Sequence, residues 1–205
     1  MPVIDSLEKY KGNTFMVELS DGETIFLNIE TVMKFNLRKG IDIPDEAVLE
    51  IKHTDQLRKA RERALYLLDY RDYCFVELYK KLEANYDEEV CLEVLNWLCE
   101  NGLVNDRRYA TRLGEKLVVT KGFGYYRAKQ EMLMKGLDRE LVEEVLSEYE
   151  EDTLSRLEEL VEKKYAHKIV DEKSLNRVKN ALVRQGYTYS DVNAVFSLYE
   201  FDFDE

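Results

Sequence analysis

The chain has 205 residues and a formal net charge of −12, with 45% hydrophobic and 35% charged residues. The apolar share can build buried cores, whereas the acidity argues against a general nucleic-acid coat, because phosphate repels such a surface, although local charge can differ from the mean. With only 2 Pro and 9 Gly among abundant Leu, Glu, Lys, Arg and Ala, the composition is that of helices joined by short turns. No apolar run approaches the ~18 residues of a membrane span, and the opening MPVIDSLEKYKG has no apolar signal core. Cys74, Cys91 and Cys99 form no disulfide framework and are expected as buried thiols in a reducing cytoplasm.

In chain order, Thr14–Ser20 and Glu23–Ile29 are short β-branched and apolar runs flanking Asp21-Gly22, which predicts a hairpin with a two-residue type I′ turn. A short helix is expected from Ile29 to Phe35, and a second from Asp45 to Ile51 after Pro44. From Asp55 onward the periodicity is helical. Leu57, Ala60, Ala64 and Leu68 give one stripe, Cys74 to Ala84 the next helix, and Asp87 caps a third that ends at Asn101-Gly102. Asn105 caps a helix through Tyr109, Leu113 and Leu117, broken at Gly122 and Gly124. Tyr125–Lys135 follows, then a helix capped by Asp138 and continued through Leu160. The last two helices are Glu172–Gln185 and Asp191–Glu200, the latter capped by Ser190.

An internal repeat runs through this order. KKLEANYDEEVCLEVL, EMLMKGLDRELVEEVL and ALVRQGYTYSDVNAVF are each a helix, a short turn and a capped helix. Leu82, Tyr86, Val90 and Val94 correspond to Leu133, Leu137, Leu141 and Val145, and to Val183, Tyr187, Val192 and Val195. A helix pair this small cannot bury its apolar face alone and needs a preceding helix and a neighbouring unit. The expected fold is mainly α: tandem three-helix modules in an elongated, curved array after an N-terminal β-hairpin and short-helix extension.

Catalysis needs converging groups, and none is found. His53 and His167 each stand alone in charged stretches and read as surface residues, and no CxxC, HExxH or phosphate-cradling glycine loop occurs. No catalytic residue, metal or cofactor is expected. Charge, however, is sorted. Val104–Lys135 holds eight basic and three acidic residues, a local +5, interleaved with Tyr109, Phe123, Tyr125 and Tyr126. Gly136–Leu160 is strongly acidic. The two stretches either pair with each other or form a dipolar module whose basic side meets a polyanionic partner.

RALYLLDYRDYCFVELYKKL, VLNWLCENGLVNDRRYA and KGFGYYRAKQEMLMKGLDRE together resemble RecX, the bacterial regulator of the RecA recombinase. The residues that carry this are Ala64, Leu65, Leu67, Leu68, Arg71, Glu77, Leu78, Lys81 and Leu82, then Gly102, Val104, Asn105, Asp106, Tyr109 and Ala110, and finally Lys121, Gly122, Lys135 and Gly136. The final VRQGYTYSDVNAVF is similar to the family's last repeat, and the hairpin extension to that of longer Gram-positive members. Cys74 stands where the family commonly has a capping Ser. The resemblance implies a monomer that lodges in the groove of the RecA–single-stranded-DNA filament, blocks its extension or promotes its disassembly, and restrains recombination, DNA repair and the SOS response.

The expected domains are 1–55 (hairpin and short helices), 56–111, 112–165 and 166–205 (three modules, the last with an acidic tail). Arg107, Arg108, Arg112, Lys121, Arg127 and Lys129 are the expected partner-binding surface. The acidity shifts weight toward a protein partner and away from autonomous DNA binding. Competing readings are a helix-turn-helix module acting on free DNA, since three-helix units with short capped turns share that form, and a helical-repeat scaffold for other proteins.

Overall fold

The computed structural model describes residues 1–199, so the acidic tail and the final residue of the Asp191–Glu200 helix lie outside the described residues. The chain is mainly helical with one small antiparallel sheet at its N-terminal end. It divides into two compact units. The first comprises Met1–Arg71 and Leu78–Leu103; the second takes Asp72–Glu77 and the chain from Val104 onward.

In the first unit, β1 (Ile4–Lys11), β2 (Thr14–Leu19) and β3 (Thr24–Asn28) form a sheet in sequence order. Its inner face carries Ile4, Val17, Leu19, Ile25 and Leu27, all buried. β2 and β3 are the expected hairpin, with Val17 opposite Ile25. The turn differs from the expected two-residue type: Gly22 donates to the Leu19 carbonyl (2.9 Å), Leu19 donates to Glu23 (2.8 Å), and Gly22 is left-handed at φ 89°. Asp21 keeps a negative φ, so the chain makes a three-residue loop with a left-handed glycine rather than the double-positive I′ turn. β1 escaped the sequence reading because two bulges, between Ile4 and Ser6 and between Lys9 and Lys11, break its alternation. Its outer edge is covered where Ile4 exchanges bonds with Ile41 and Gly40.

α1 (Ile29–Lys34) is capped by Asn28, and α2 runs unbroken from Asp45 to Tyr70 where two helices were expected. No Gly or Pro interrupts that span, and the Asp55 side chain points inward. It is 2% exposed. It accepts from the Asn28 N–H (2.9 Å) and the Thr31 hydroxyl (3.0 Å) and pairs with Lys59 (2.6 Å). Burial pushes this carboxyl up, but the Asn28 N–H, Lys59 and Thr31 outweigh it and leave it below the usual value. α2 thus serves two cores: Val48 and Ile51 pack under the sheet, and Ala60, Ala64 and Leu67 are buried further along. α3 (Phe75–Leu82) and α4 (Glu88–Glu100) follow, with Leu78, Leu82, Val90, Val94, Leu95 and Leu98 buried. Cys74 and Cys91 are buried as expected, whereas Cys99, on the outer side of α4, is exposed.

The second unit contains α5 (Asp106–Glu115), a π-helical turn Lys116–Thr120, α6 (Tyr125–Met134), α7 (Arg139–Ser147), α8 (Thr153–Lys164), a 3-10 turn Ala166–Lys168, α9 (Glu172–Arg184) and α10 (Tyr189–Phe196). The helix expected to run from Asp138 through Leu160 is two helices, α7 and α8. The cap of α10 is Thr188, whose hydroxyl accepts from Asp191, not Ser190. One core gathers Ala110, Leu117, Ala128, Met132, Leu137, Val142 and Val145; another gathers Leu157, Val161, Leu182, Tyr187, Val192 and Phe196. The repeat is real but its register shifts at the turn: Met132 and Leu182 are fully buried, while Leu133 and Val183 are 37% exposed. A spacing of four cannot be carried across a turn where the chain leaves the helix.

Two joints tie the second unit together. The Gly124 amide donates to Gln185 (2.9 Å) and the Tyr126 amide to Gly186 (3.1 Å). Backbone lies against backbone, so a Cβ on Gly124 would come within 2.4 Å of the Gly186 carbonyl. In the corresponding place one module earlier, the Cys74 thiol donates to the Lys135 carbonyl (3.2 Å), and Val76 packs on Gly136. Cys74 therefore anchors the joint as a buried donor, and burial pushes its thiol up.

Two outcomes check this. Asp55→Ala should lower unfolding stability in urea at neutral pH by about 3 kcal/mol, because it leaves Lys59 and two donors without their acceptor. The folded carboxyl lies below its ordinary value of 3.8, so its contribution is complete above that pH and is lost as pH falls through the folded value. The wild type should show a component of destabilisation below about pH 4 that Asp55→Ala lacks. Gly186→Ala should cost about 2 kcal/mol or more in thermal or urea unfolding. An unchanged midpoint would mean that the close approach is absent in solution.

Candidate partner-binding surface

The six basic residues singled out in the sequence lie on α5, at the end of the π-helical turn, and on α6. Asn105 starts α5 by accepting from the Arg108 amide (2.9 Å), which sets Arg107, Arg108 and Arg112 around the helix. The π-turn closes with the Lys121 amide donating to Lys116 (3.0 Å), and Phe123 donates back to Leu117 (3.0 Å). This widened turn, a feature common at functional positions, delivers Lys121, Phe123 and then α6.

The six do not behave alike. Arg107 makes a bidentate pair with Glu144 of α7 at 2.8 and 2.7 Å, and that hydrogen-bonded pairing holds the Glu144 carboxyl below its usual range. Lys129 reaches Glu143 at 2.6 Å with only 18% of its side chain exposed. Arg139 shares Glu143 at 3.2 Å, and Lys129 chiefly, then Arg139, keep that carboxyl low. Arg112 pairs with Asp72 at 2.5 Å. Arg107 and Lys129 thus take their carboxylates from the acidic stretch, as the internal-pairing alternative had it.

Lys121 and Arg127 are different. The Lys121 ammonium stands 5.3 Å from the Phe123 ring centre and the Arg127 guanidinium 4.2 Å. Lys121 has no carboxylate partner among the described residues, and Arg127 meets Glu131 only at 3.9 Å. Two cations thus share one aromatic ring at the end of an irregular turn, neither held in a close carboxylate pair. Arg108 is exposed on α5. Tyr125 packs edge-on to Tyr126, which is 62% exposed.

Sequence reasoning missed the polar joint beneath this surface. Glu77 accepts from Lys135 (2.8 Å) and from the Tyr109 hydroxyl (2.9 Å). Asp106, pushed up by burial, accepts from the Phe75 amide (2.8 Å). Sequence reasoning places Lys135 in the basic stretch and in the family motif but assigns it no partner, because a carboxylate 58 residues away has no local signal. Of the two histidines, His167 is exposed, while His53 lies 3.3 Å from Glu93 and is partly buried. Among the described residues no group of three or more His, Cys, Asp or Glu is placed to hold a metal ion, and no helix is long and apolar enough to cross a membrane.

Comparison with known proteins fits this geometry. Residues 60–98, 105–146 and 150–196 match the family models for the first, second and third three-helix domains of RecX. The chain is 30% identical over 208 residues to the regulatory protein RecX of Clostridioides difficile, covering 98% of both chains. It is 26% identical to that of Streptococcus sanguinis, covering 98% of this chain and 79% of the relative. A crystal structure of regulatory protein RecX superposes with a TM-score of 0.70 at 20% identity, over 96% of this chain and 100% of that one. RecX from Lactobacillus salivarius superposes at 0.62 with 24% identity, over 71% of this chain and 97% of the other. With three successive domain matches and relatives aligned along nearly its whole length, the chain belongs to the RecX family of regulatory proteins.

Proposed function

We propose that the protein binds RecA and the RecA–single-stranded-DNA filament in the cytoplasm and inhibits the recombinase by blocking filament extension or promoting disassembly. The observation that carries this reading is the family relationship along all three modules. The role is regulatory and non-catalytic: the protein acts as a monomer, by binding, without cofactor. Its effect is to restrain homologous recombination, DNA repair and the SOS response.

The partner-binding surface comprises Arg107, Arg108, Arg112, Lys121, Arg127 and Lys129, with Lys121 and Arg127 at its centre. Arg107, Arg112 and Lys129 have carboxylate partners within 2.8 Å and must exchange or share them to bind an external anion. Lys121 needs no such exchange, and Phe123 beneath it adds an aromatic contact. Free nucleic acid is a poor partner for a protein of charge −12, so the anionic groups recognised are those presented by the filament.

Purified protein should lower the DNA-dependent ATPase of the cognate RecA at substoichiometric or near-equal ratios and hydrolyse no nucleotide itself. Unchanged ATPase and unchanged strand exchange at micromolar protein would overturn the reading. Lys121→Glu combined with Arg127→Glu should weaken filament association by about tenfold or more and flatten its salt dependence, with the melting temperature shifted by a few degrees at most. Binding at wild-type strength by this double variant would move the surface elsewhere. Tight binding to free single-stranded DNA at physiological salt without RecA would favour the free-DNA alternative.

A further inference from the structure

The first unit holds a cleft of about 510 Å³ between α1, α2 and α4 that the basic surface does not involve. Its cationic lining is Lys34, Arg58 and Arg61, and Leu57 and Leu65 supply apolar wall. Arg58 and Arg61 lie three apart on α2, and Nε of each is buried with no hydrogen-bond partner among the described residues. Arg58 is otherwise tied down: its Nη1 reaches Glu62 at 2.5 Å, and its Nε stands 3.7 Å from Asp55, beyond hydrogen-bond range. Arg61 has no carboxylate partner among the described residues. Its guanidinium lies 4.3 Å from the Trp97 ring centre. Lys34 likewise has none, and its ammonium stands 5.1 Å from the Phe35 ring.

A guanidinium stays charged at every accessible pH, so a half-buried one without a counter-ion carries an uncompensated desolvation cost. The nearest buried carboxylate cannot relieve it, since Asp55 is already engaged by Asn28, Thr31 and Lys59. Packing on Trp97 restricts the Arg61 head, which prepares it for the planar, two-pronged recognition that guanidinium groups give carboxylates. The acidic residues Glu30, Glu62 and Glu93 also line the cleft, and they limit what enters. With three cations balanced by three carboxylates, the lining disfavours a multiply charged phosphate chain more than a single monoanionic group on an apolar stem, which can address Arg61 and Lys34 with its head and Leu57 and Leu65 with its side.

We propose that this cleft is a receptor for one carboxylate side chain of an acidic peptide segment on a protein partner. The inference rests on the first unit alone and does not depend on the RecA reading, so each can fail without the other.

The sole tryptophan, Trp97, makes the site its own reporter. The full chain is titrated with Ac-Leu-Glu-Leu-amide while Trp97 fluorescence and the Arg Nε–H resonances are followed. The expected result is a saturable response in which the Arg61 and Arg58 Nε–H signals shift, about tenfold weaker for Ac-Leu-Gln-Leu-amide. Lys34→Gln should weaken binding of the Glu peptide by a similar factor, and Arg61→Gln should abolish it, with helical circular dichroism unchanged. An absent or non-saturating response, or equal responses to the Glu and Gln peptides, would overturn the proposal even if a variant failed to fold, because both comparisons use the wild type. A stronger response to inorganic phosphate or to a thymidine oligonucleotide would also overturn it, in favour of a phosphate site.

Discussion

The amide of Gly124 donates to the carbonyl of Gln185, and the amide of Tyr126 to that of Gly186, with the two backbones too close for any side chain between them. Much of the second unit depends on this contact. Its helices are short, from 8 to 13 residues, and no isolated pair of them has enough apolar surface to be stable. The joint seats the start of α6 on the α9–α10 turn and so sets two cores side by side, that of Met132 and Val145 and that of Leu182 and Val192. The same move recurs where Cys74 and Val76 meet Lys135 and Gly136, there with side chains in place of bare backbone. Because the repeat reuses one docking geometry, a glycine or a small contact is required at each joint, and the polar groups around it differ.

Those polar differences direct the electrostatics. At the earlier joint, Glu77 draws in Lys135 and Tyr109, so one cation of the basic stretch is committed to structure. Glu143 and Glu144 of α7 take Lys129 and Arg107, and Asp72 takes Arg112. Lys121 and Arg127, on Phe123 at the end of the π-helical turn, have no such close carboxylate pair. A cation resting on an aromatic ring keeps its charge available to an external anion, whereas one in a bidentate carboxylate pair must first break that pair. The basic stretch is therefore part scaffold and part surface, and the division falls between residues a few positions apart.

The first unit solves a different problem. A three-stranded sheet of 8, 6 and 5 residues has one apolar face to cover. It borrows the front half of α2, and Asp55 links that helix to the β3–α1 junction through one carboxylate with three partners. The uninterrupted α2 then continues into the first three-helix module, carrying Arg58 and Arg61 on the turns that follow Asp55. For a family of regulatory proteins recognised by its three modules, this places Arg61, a cation without a carboxylate partner among the described residues, near the start of the first module, close to its junction with the extension.

The sequence by itself determined the helical class, the β2–β3 hairpin, the threefold repeat with its turns, and the family, because all of these rest on composition and on spacings within some twenty residues. Only the tertiary structure decided which of six basic residues were already neutralised, since their carboxylates lie 14 to 40 residues away. It also decided that Asp55 is a buried tie within one long helix where two were expected, that β1 joins the sheet despite its bulges, and that Met132 and Leu182 take the core positions expected of Leu133 and Val183. The reason is common to all four. Periodicity reports which face of a segment is apolar, but the partner that meets that face, and the register at which it does so, are fixed by packing between segments that the chain brings together only on folding.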